Sequence, residues 1–173
     1  MSDKKEERKN KRDALINLYE QSYSKVARYM FVRIGDQQEA EDLASETFVK
    51  ALKSLDSYTD RGMPMEAWIF RIAHNLLVDH LRKVSRRQTV NLDETLIRAA
   101  DDPEESAETD IEMERLSKAL EELSPAHREI IALRFFSGFT SAECGRILGK
   151  KPGAVREMQS AAIKLLRQSL NRE

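Results

Sequence analysis

The sequence predicts an all-α protein: two small helical domains joined by an acidic flexible linker, the second a helix-turn-helix domain. Apolar residues recur at three- and four-residue steps along most of the chain, whereas the alternation typical of strands is nearly absent. The 173 residues include only six glycines and four prolines, which is compatible with long helices. A strongly acidic stretch without periodicity separates the two helical parts.

The first predicted domain, residues 1–87, contains three helices. We place them from about Lys11 to Arg33, from Asp36 to Leu55 and from Met65 to Arg87. Asp36 lies three residues before Glu39, a capping-box pattern that satisfies two amide donors at a helix start. The apolar stripes of these helices predict one core, with Tyr19, Leu52 and Trp68 among the inward positions.

Residues 88–110 are predicted to form a largely extended acidic linker. Between Gln88 and Glu114 there are ten acidic residues and one basic residue, Arg98. Such a segment cannot bury enough apolar area to offset the entropy lost on ordering. It would also be long for a loop inside one compact domain, so two domains fit better than one.

The second predicted domain, residues 111–173, contains four helices. Its first helix begins near Ile111. Ser124 before Pro125 predicts the start of the next, with Ile131 and Phe135 among its apolar positions. Thr140 with Glu143 forms a capping box that opens a short helix.

A short capped helix, a glycine turn and a longer basic helix from about Pro152 form a helix-turn-helix pattern. Lys151 provides no good side-chain cap for this last helix, and the missing cap lowers helix stability by roughly 1 kcal/mol. Gly145 lies inside the short helix, where glycine is expected to make the helix roughly 1 kcal/mol less stable than alanine would.

The second helix of this motif lies in the DNA major groove with its first residues nearest the base edges. The positions expected to face DNA are Lys150, Lys151, Ala154, Arg156, Glu157, Gln159, Ser160 and Lys164. Arg156 suits guanine, Gln159 suits adenine and Glu157 suits a cytosine amino group. The alternative at this point is a plain helical hairpin with a solvated charged face.

Charge and composition limit the function classes. The net charge of −1 argues against coating nucleic acid by bulk charge, although seven basic and two acidic residues lie from Arg146 to Glu173. The single cysteine, Cys144, cannot form an internal disulfide, which favours a reducing compartment. No apolar run resembles a signal peptide or approaches the roughly 20 residues that span a bilayer. We therefore expect a cytoplasmic protein that does not insert into membranes.

Two long segments resemble a known family. The stretch "LEELSPAHREIIALRFFSGFTSAECGRILGKKPGAVREMQSAAIKLLRQ" resembles the fourth conserved region of extracytoplasmic-function sigma factors of bacterial RNA polymerase. The stretches "AEDLASETFVKALKSLDSY" and "AWIFRIAHNLLVDHLRK" resemble the second conserved region. Both in this order, with an acidic linker between them, form a specific pattern that covers most of the chain.

The resemblance implies roles for individual residues. The C-terminal domain would read the −35 promoter element. The N-terminal domain would read and open the −10 element through Tyr58, Arg61, Met63, Arg71, His74, Asn75, Arg82, Lys83 and Arg86. Core polymerase would be bound through Asp42, Leu43, Glu46 and Phe48. Leu43 and Phe48 are alternatively core residues, and core packing is favoured for Trp68.

The resemblance also implies partners. These are the core polymerase (through the β′ clamp helices and the β flap), promoter DNA and an anti-sigma factor. The linker would thread the RNA-exit path, or alternatively serve as a plain tether. No cofactor, metal or catalytic residue is expected.

Two other function classes are compatible with parts of the sequence to different degrees. An enzyme is disfavoured because the chain has no His-Glu-x-x-His motif, no phosphate-binding glycine loop and no metal spacing among His74, His80, His127 and Cys144. A stand-alone helix-turn-helix regulator shares the C-terminal pattern. Co-elution with core polymerase distinguishes it from a sigma factor.

Overall fold

The computed structural model describes residues 2–88 and 107–172. Seven α-helices and no strand occur within these two ranges, which confirms the all-α class. Most of the linker predicted over residues 88–110 lies outside the described residues. Its two ends are helical, because Gln88 ends the third helix and the fourth begins at Ala107, four residues before the predicted Ile111.

The N-terminal domain consists of three helices: α1 (Ser2–Ile34), α2 (Gln37–Lys53) and α3 (Met65–Gln88). A 3₁₀ turn, Leu55–Ser57, follows α2. Helix α1 begins nine residues earlier than expected, and this charged first part is almost entirely exposed. Apolar periodicity could not predict it because this part buries no apolar face; its Arg8 instead pairs with Asp56 at 3.1 Å.

The start of α2 has half of the predicted capping box. The Asp36 carboxylate accepts a hydrogen bond from the Glu39 amide at 2.9 Å. The Glu39 carboxylate does not complete the box; its Oε2 lies 3.2 Å from Nε2 of His80 on α3. The Glu39 side chain therefore makes a polar contact between α2 and α3.

The N-terminal core is formed by the inward faces of the three helices. Its most buried members include Val26, Met30, Ile69, Phe70 and Leu77. Trp68 is partly buried and packs against this core, as predicted. Tyr19 and Leu52 were expected to face inward and do not, since they are 48% and 51% exposed.

The C-terminal domain contains α4 (Ala107–Glu121), α5 (Pro125–Ile131), α6 (Ser141–Leu148) and α7 (Pro152–Leu170). The predicted caps are confirmed. Ser124 Oγ accepts from the His127 amide at 3.2 Å, with Pro125 at the first helical position. Thr140 and Glu143 form a complete capping box, with distances of 3.2 and 2.8 Å.

A π-helical turn, Ala132–Phe136, extends α5. It is closed by the Ser137 amide, which donates to the Ala132 carbonyl five residues earlier at 3.0 Å. The extra residue per turn shifts the helix face. Leu133 stays fully buried, but Phe135, predicted as an apolar core position, is 54% exposed.

The two domains pack against each other. Phe70 of α3 lies edge-on to Phe139, which follows the π-helical turn, with ring centroids 4.8 Å apart. Buried residues of both domains belong to one continuous apolar cluster. Among the described helices, none has the length and apolar character to span a bilayer.

Candidate nucleic-acid interface

Helices α6 and α7 form the predicted helix-turn-helix. Gly149 ends α6 in the left-handed region at φ 67°, a conformation that glycine adopts without strain. Gly145 has a role that helix propensity did not predict. A Cβ at this position would lie 2.5 Å from the Lys150 carbonyl oxygen, so glycine permits the close approach of the turn to α6.

The first turns of α7 present a polar face to solvent. Most of the predicted −35 residues are exposed, namely Lys150, Lys151, Arg156, Glu157, Ser160 and Lys164. Val155 and Ala162 are fully buried on the opposite side of the helix. As predicted, Lys151 at the N-cap makes no capping hydrogen bond among the described residues, and Pro152 occupies the first helical position.

Ala154 and Gln159 are partly buried rather than exposed. The Gln159 side-chain oxygen accepts a hydrogen bond from Nε of Arg134 at 2.7 Å. A bidentate contact to adenine would require this oxygen to serve Arg134 and the base together, with one lone pair for each. Arg134 thereby fixes the orientation of the Gln159 side-chain amide. No sequence pattern indicated this contact.

The predicted −10 residues lie along α3 and in the loop before it. Arg61, Arg71, Asn75, Arg82, Lys83 and Arg86 are exposed, whereas Met63 and His74 are partly buried. Asn75 is one turn beyond Arg71 on α3, so both side chains share a face. The basic residues continue along the exposed end of the same helix.

Tyr58 does not suit the role expected of it in this arrangement. Its side chain is buried, and its hydroxyl donates to the Met63 carbonyl at 3.0 Å. Its ring packs on Trp68 with a centroid distance of 4.9 Å. Burial, with a smaller effect of Asp60, raises the pKa of Tyr58. Tyr58 therefore braces the loop instead of offering an aromatic face to a base.

The predicted polymerase-binding residues divide into two groups. Asp42 and Glu46 are exposed, while Leu43 and Phe48 are only 8% and 7% exposed and belong to the core. The alternative interpretation of Leu43 and Phe48 as core residues is the one that fits. Four other large apolar side chains, two on α1 and two on α2, are about half exposed, and we call them the α1–α2 apolar patch: Ile16, Tyr19, Val49 and Leu52.

A buried carboxylate, which no sequence pattern indicated, joins the two domains. Glu129 of α5 is 6% exposed. Its Oε2 lies 2.8 Å from the Arg33 guanidinium and its Oε1 lies 2.6 Å from Nδ1 of His74. The Tyr29 hydroxyl donates a hydrogen bond to the same Oε1. We call Tyr29, Arg33, His74 and Glu129 the Glu129 cluster.

The electrostatics of this cluster favour a charged carboxylate. Burial by itself would raise the pKa of Glu129. Hydrogen bonding and charge from His74, the Tyr29 hydroxyl and the Arg33 guanidinium outweigh burial and lower that pKa. Burial, reinforced by the Glu129 carboxylate, raises the pKa of Tyr29 well above its ordinary value. The cluster thus holds an ionised glutamate and a neutral tyrosine between the domains.

A second polar contact joins the loop before α3 to the helix-turn-helix. The Arg146 guanidinium of α6 donates to the carbonyl oxygen of Gly62. Gly62 lies between Arg61 and Met63, two of the predicted −10 residues. The C-terminal domain therefore contacts the surface predicted to read the −10 element. In residues 2–88 and 107–172, no three His, Cys, Asp or Glu side chains converge as metal ligands would.

Comparison with known proteins places this geometry in a family. Residues 18–87 match the family model "Sigma-70 region 2", and residues 119–168 match "Sigma-70, region 4". The first range covers the second half of α1, all of α2 and nearly all of α3. The second range runs from the end of α4 almost to the end of α7.

Two curated relatives are ECF RNA polymerase sigma factors. ShbA of Streptomyces griseus is 39% identical over 132 residues, which cover 73% of this chain and 69% of ShbA. BldN of Streptomyces coelicolor is 36% identical over 156 residues, which cover 89% of this chain but 59% of BldN. The chain thus spans less than two thirds of BldN.

A solved structure has the same fold. It is the sigma factor RpoE of Bartonella quintana in complex with the anti-sigma factor NepR. RpoE aligns with a TM-score of 0.77 at 24% identity, over 90% of this chain and 95% of RpoE. The fold alone is shown by this likeness; the two family models and the identity with ShbA show that this chain belongs to the ECF RNA polymerase sigma factors.

Proposed function

We propose that this chain directs RNA polymerase core to specific promoters by reading duplex DNA at −35 with α7 and DNA at −10 with α3 and its preceding loop. The observation that carries the proposal is the exposed polar face of α7. Arg156, Glu157 and Ser160 lie near the start of the second helix of a helix-turn-helix, where side chains reach base edges in the major groove.

The division into reading domains follows the helices. The N-terminal domain, residues 1–87 by our boundaries, would capture an unstacked strand at Asn75 and hold phosphates with Arg71 and the basic end of α3. Residues 88–110 would link it to the C-terminal domain. Base capture would depend more on Asn75, Arg61 and Met63 than on Tyr58. The Tyr58 ring is buried and packs against Trp68.

Core polymerase would dock on the outer surface of α1 and α2, through the β′ clamp helices, with a second contact between the C-terminal domain and the β flap. Because Leu43 and Phe48 are buried, the α1–α2 apolar patch would supply the apolar contacts, and Asp42 and Glu46 the charged rim. We place the chain in the cytoplasm, where core polymerase acts, and assign it no enzymatic activity of its own.

Control by an anti-sigma factor is part of the proposal. RpoE of Bartonella quintana, which has the same fold, is found in complex with the anti-sigma factor NepR. A comparable partner of this chain would mask the α1–α2 apolar patch and Asp42. Transcription reactions supplemented with candidate inhibitors test this part of the proposal.

The direct test is run-off transcription with the purified chain, core enzyme and a promoter library. We expect a defined set of start sites that core enzyme alone does not use. A stand-alone regulator would bind duplex DNA but elute separately from core polymerase on gel filtration, whereas this chain should co-elute. Failure to co-elute and failure to select start sites would together contradict the proposal.

Arg156→Ala is expected to relax specificity at one −35 base pair. The lost bidentate contact discriminates by roughly 1–3 kcal/mol. Core binding should be retained, because its main proposed surface lies on α1 and α2. Selection from a randomised −35 library measures the change in specificity, and gel filtration measures core binding. Gln168→Ala, at an exposed position later on the same helix, is the matched control. An unchanged base preference in the Arg156 variant would remove this residue from the reading surface.

Asn75→Ala is expected to spare closed-complex binding and to reduce promoter opening. The capture of a flipped base offsets an unstacking cost of a few kcal/mol, so its loss should be felt mainly when DNA melts. Permanganate footprinting of melted thymines measures opening, and Gln168→Ala at an exposed position of α7 is the control. Equal thymine reactivity in both variants would exclude the role given to Asn75.

A further inference from the structure

The first turns of α1 carry many charges and no core residue. Between Ser2 and Asp13 the helix has six basic and four acidic residues, and its first buried apolar residue is Leu15. The match to the region 2 family model begins only at residue 18. Neither the core of the domain nor the part matched by the family model therefore accounts for the charges of this segment.

The charges of this segment are sorted by side. At 3.6 residues per turn, the six basic residues fall within an arc of roughly 160° around the helix, and the four acidic residues fall on the opposite side. Three of the basic residues follow one another at four- and three-residue steps, so they form one line along the helix. We call these three the basic stripe: Lys5, Lys9 and Arg12.

The basic stripe consists of exposed cations. All three residues are exposed, and none of them forms an ion pair with another residue of the ranges 2–88 and 107–172. Two other basic residues of the same segment are paired, since Lys11 contacts Glu7 at 2.9 Å and Arg8 contacts Asp56 at 3.1 Å. The stripe therefore has its positive charge available for an anionic partner.

The contact of Arg8 shows where this side of α1 lies. Asp56 belongs to the 3₁₀ turn that follows α2. This turn leads directly into the loop 58–64, which contains Arg61 and Met63, two of the residues proposed to read the −10 element. Arg8 belongs to the same basic side of the helix as the basic stripe. The stripe therefore adds positive charge near the loop that is proposed to read DNA.

Core polymerase is the other macromolecule that this side of α1 could meet. The line of the basic stripe continues along α1 into Ile16 and Tyr19 of the α1–α2 apolar patch. The exposed charges proposed to flank that patch at the docking site, Asp42 and Glu46, are acidic, so a surface that complements them is positive and would repel the stripe. The phosphate backbone of DNA has the complementary charge. Charge complementarity therefore favours DNA.

We propose that the basic stripe is an additional DNA contact of the N-terminal domain, in which Lys5, Lys9 and Arg12 bind backbone phosphates of promoter DNA beside the −10 element. The inference rests on the proposed function for the placement of the loop 58–64 at −10. The contact holds DNA in position without reading its sequence, because phosphates carry no sequence information. Each phosphate that is neutralised releases counterions, so the contact contributes to the salt dependence of promoter affinity.

The test moves two charges off the basic side without changing the composition of the chain. The shifted variant combines Lys5→Glu with Glu6→Lys. It also combines Lys9→Asn with Asn10→Lys, so that both lysines lie on the acidic side. The matched control, Lys5→Arg with Lys9→Arg, keeps the positive charge in place. Because all four positions are exposed, the variants should retain the helical content and unfolding temperature of the unsubstituted chain.

Promoter affinity is measured for each chain assembled on core enzyme. The probe is a fluorescein-labelled fragment of a promoter identified by run-off transcription, and salt is varied from about 50 to about 200 mM. Loss of two phosphate contacts should lower the slope of log affinity against log salt by about 2. Over this range the unsubstituted chain and the arginine control should therefore lose about tenfold more affinity than the shifted variant.

The outcomes separate the basic stripe from the proposed function. Equal salt slopes in the shifted variant and the arginine control would overturn the DNA contact and leave the proposed function intact. Competition for core enzyme against a labelled chain measures polymerase binding. Weaker competition by the shifted variant would assign the stripe to the polymerase interface and also overturn the DNA contact. If the unsubstituted chain with core enzyme selects no start site, the proposed function fails, and the placement of the stripe beside −10 fails with it.

Discussion

Gly145→Val is expected to unfold the helix-turn-helix and abolish −35 binding. A Cβ on residue 145 would lie 2.5 Å from the Lys150 carbonyl oxygen, and this neighbour is backbone, which cannot rotate away. Valine adds two further methyl groups at the point where the turn contacts α6. Overpacking of this kind costs roughly 1–3 kcal/mol or more, a large part of the stability of a small domain.

Thermal unfolding and −35 duplex binding measure the effect. The matched control is Gly153→Ala in the first turn of α7, where an added Cβ meets nothing closer than the flexible Arg156 guanidinium at 3.9 Å. This control should hold or raise stability, because alanine is favoured over glycine in helices by up to about 1 kcal/mol. Equal unfolding temperatures for the two variants would show that the close approach at Gly145 is unimportant.

Leu52→Glu is expected to prevent core polymerase from docking while the chain stays folded. The Leu52 side chain is 51% exposed on α2, so a charge there has access to water and leaves the core undisturbed. In the proposed complex the same carboxylate would be buried against an apolar surface. A central apolar contact of this kind contributes about 2 kcal/mol or more, which corresponds to roughly thirtyfold in affinity.

Competition for core enzyme against an unsubstituted labelled chain measures this loss. Gln168→Glu adds the same charge at an exposed position of α7 and is the control. Retained helical content and unfolding temperature would show that the fold is intact. If Leu52→Glu competes as well as the control, polymerase must dock elsewhere, and the α1–α2 apolar patch is open to another partner.

Helix starts that carry a cap or a proline, and the helix-turn-helix, could be predicted from the sequence because their causes are local. A cap depends on residues three apart, as at Thr140 and Glu143, and a proline at the first turn, as at Pro152, acts on its own backbone. The same holds for Gly149, whose left-handed conformation ends α6. The two-domain order followed from the acidic stretch between two apolar patterns.

The Glu129 cluster could not be predicted in this way. Glu129 is 100 residues from Tyr29 and 96 from Arg33, and no local pattern connects positions so far apart. A glutamate beside Ile130 and Ile131 is also what the solvent edge of an amphipathic helix looks like. Its burial depends on the second domain, and only the tertiary structure supplies that.

Apolar exposure was mispredicted for two different physical reasons. Phe135 points outward because the π-helical turn adds a residue to the helical repeat, which shifts every later side chain around the axis. Tyr19 and Leu52 fall on a stripe that is wider than the neighbouring helices can cover. Periodicity identifies the apolar side of a helix but not how much of that side another helix covers.

The surroundings of Cys144 determine how this chain responds to oxidants. The thiol is fully buried, and burial raises its pKa to about 11. Near neutral pH only about one molecule in ten thousand would carry the reactive thiolate, the form that peroxides and disulfides attack. With one cysteine in the chain, the protein is therefore poorly equipped to detect oxidative stress by itself. Detection of oxidants through cysteine chemistry would then fall to a binding partner.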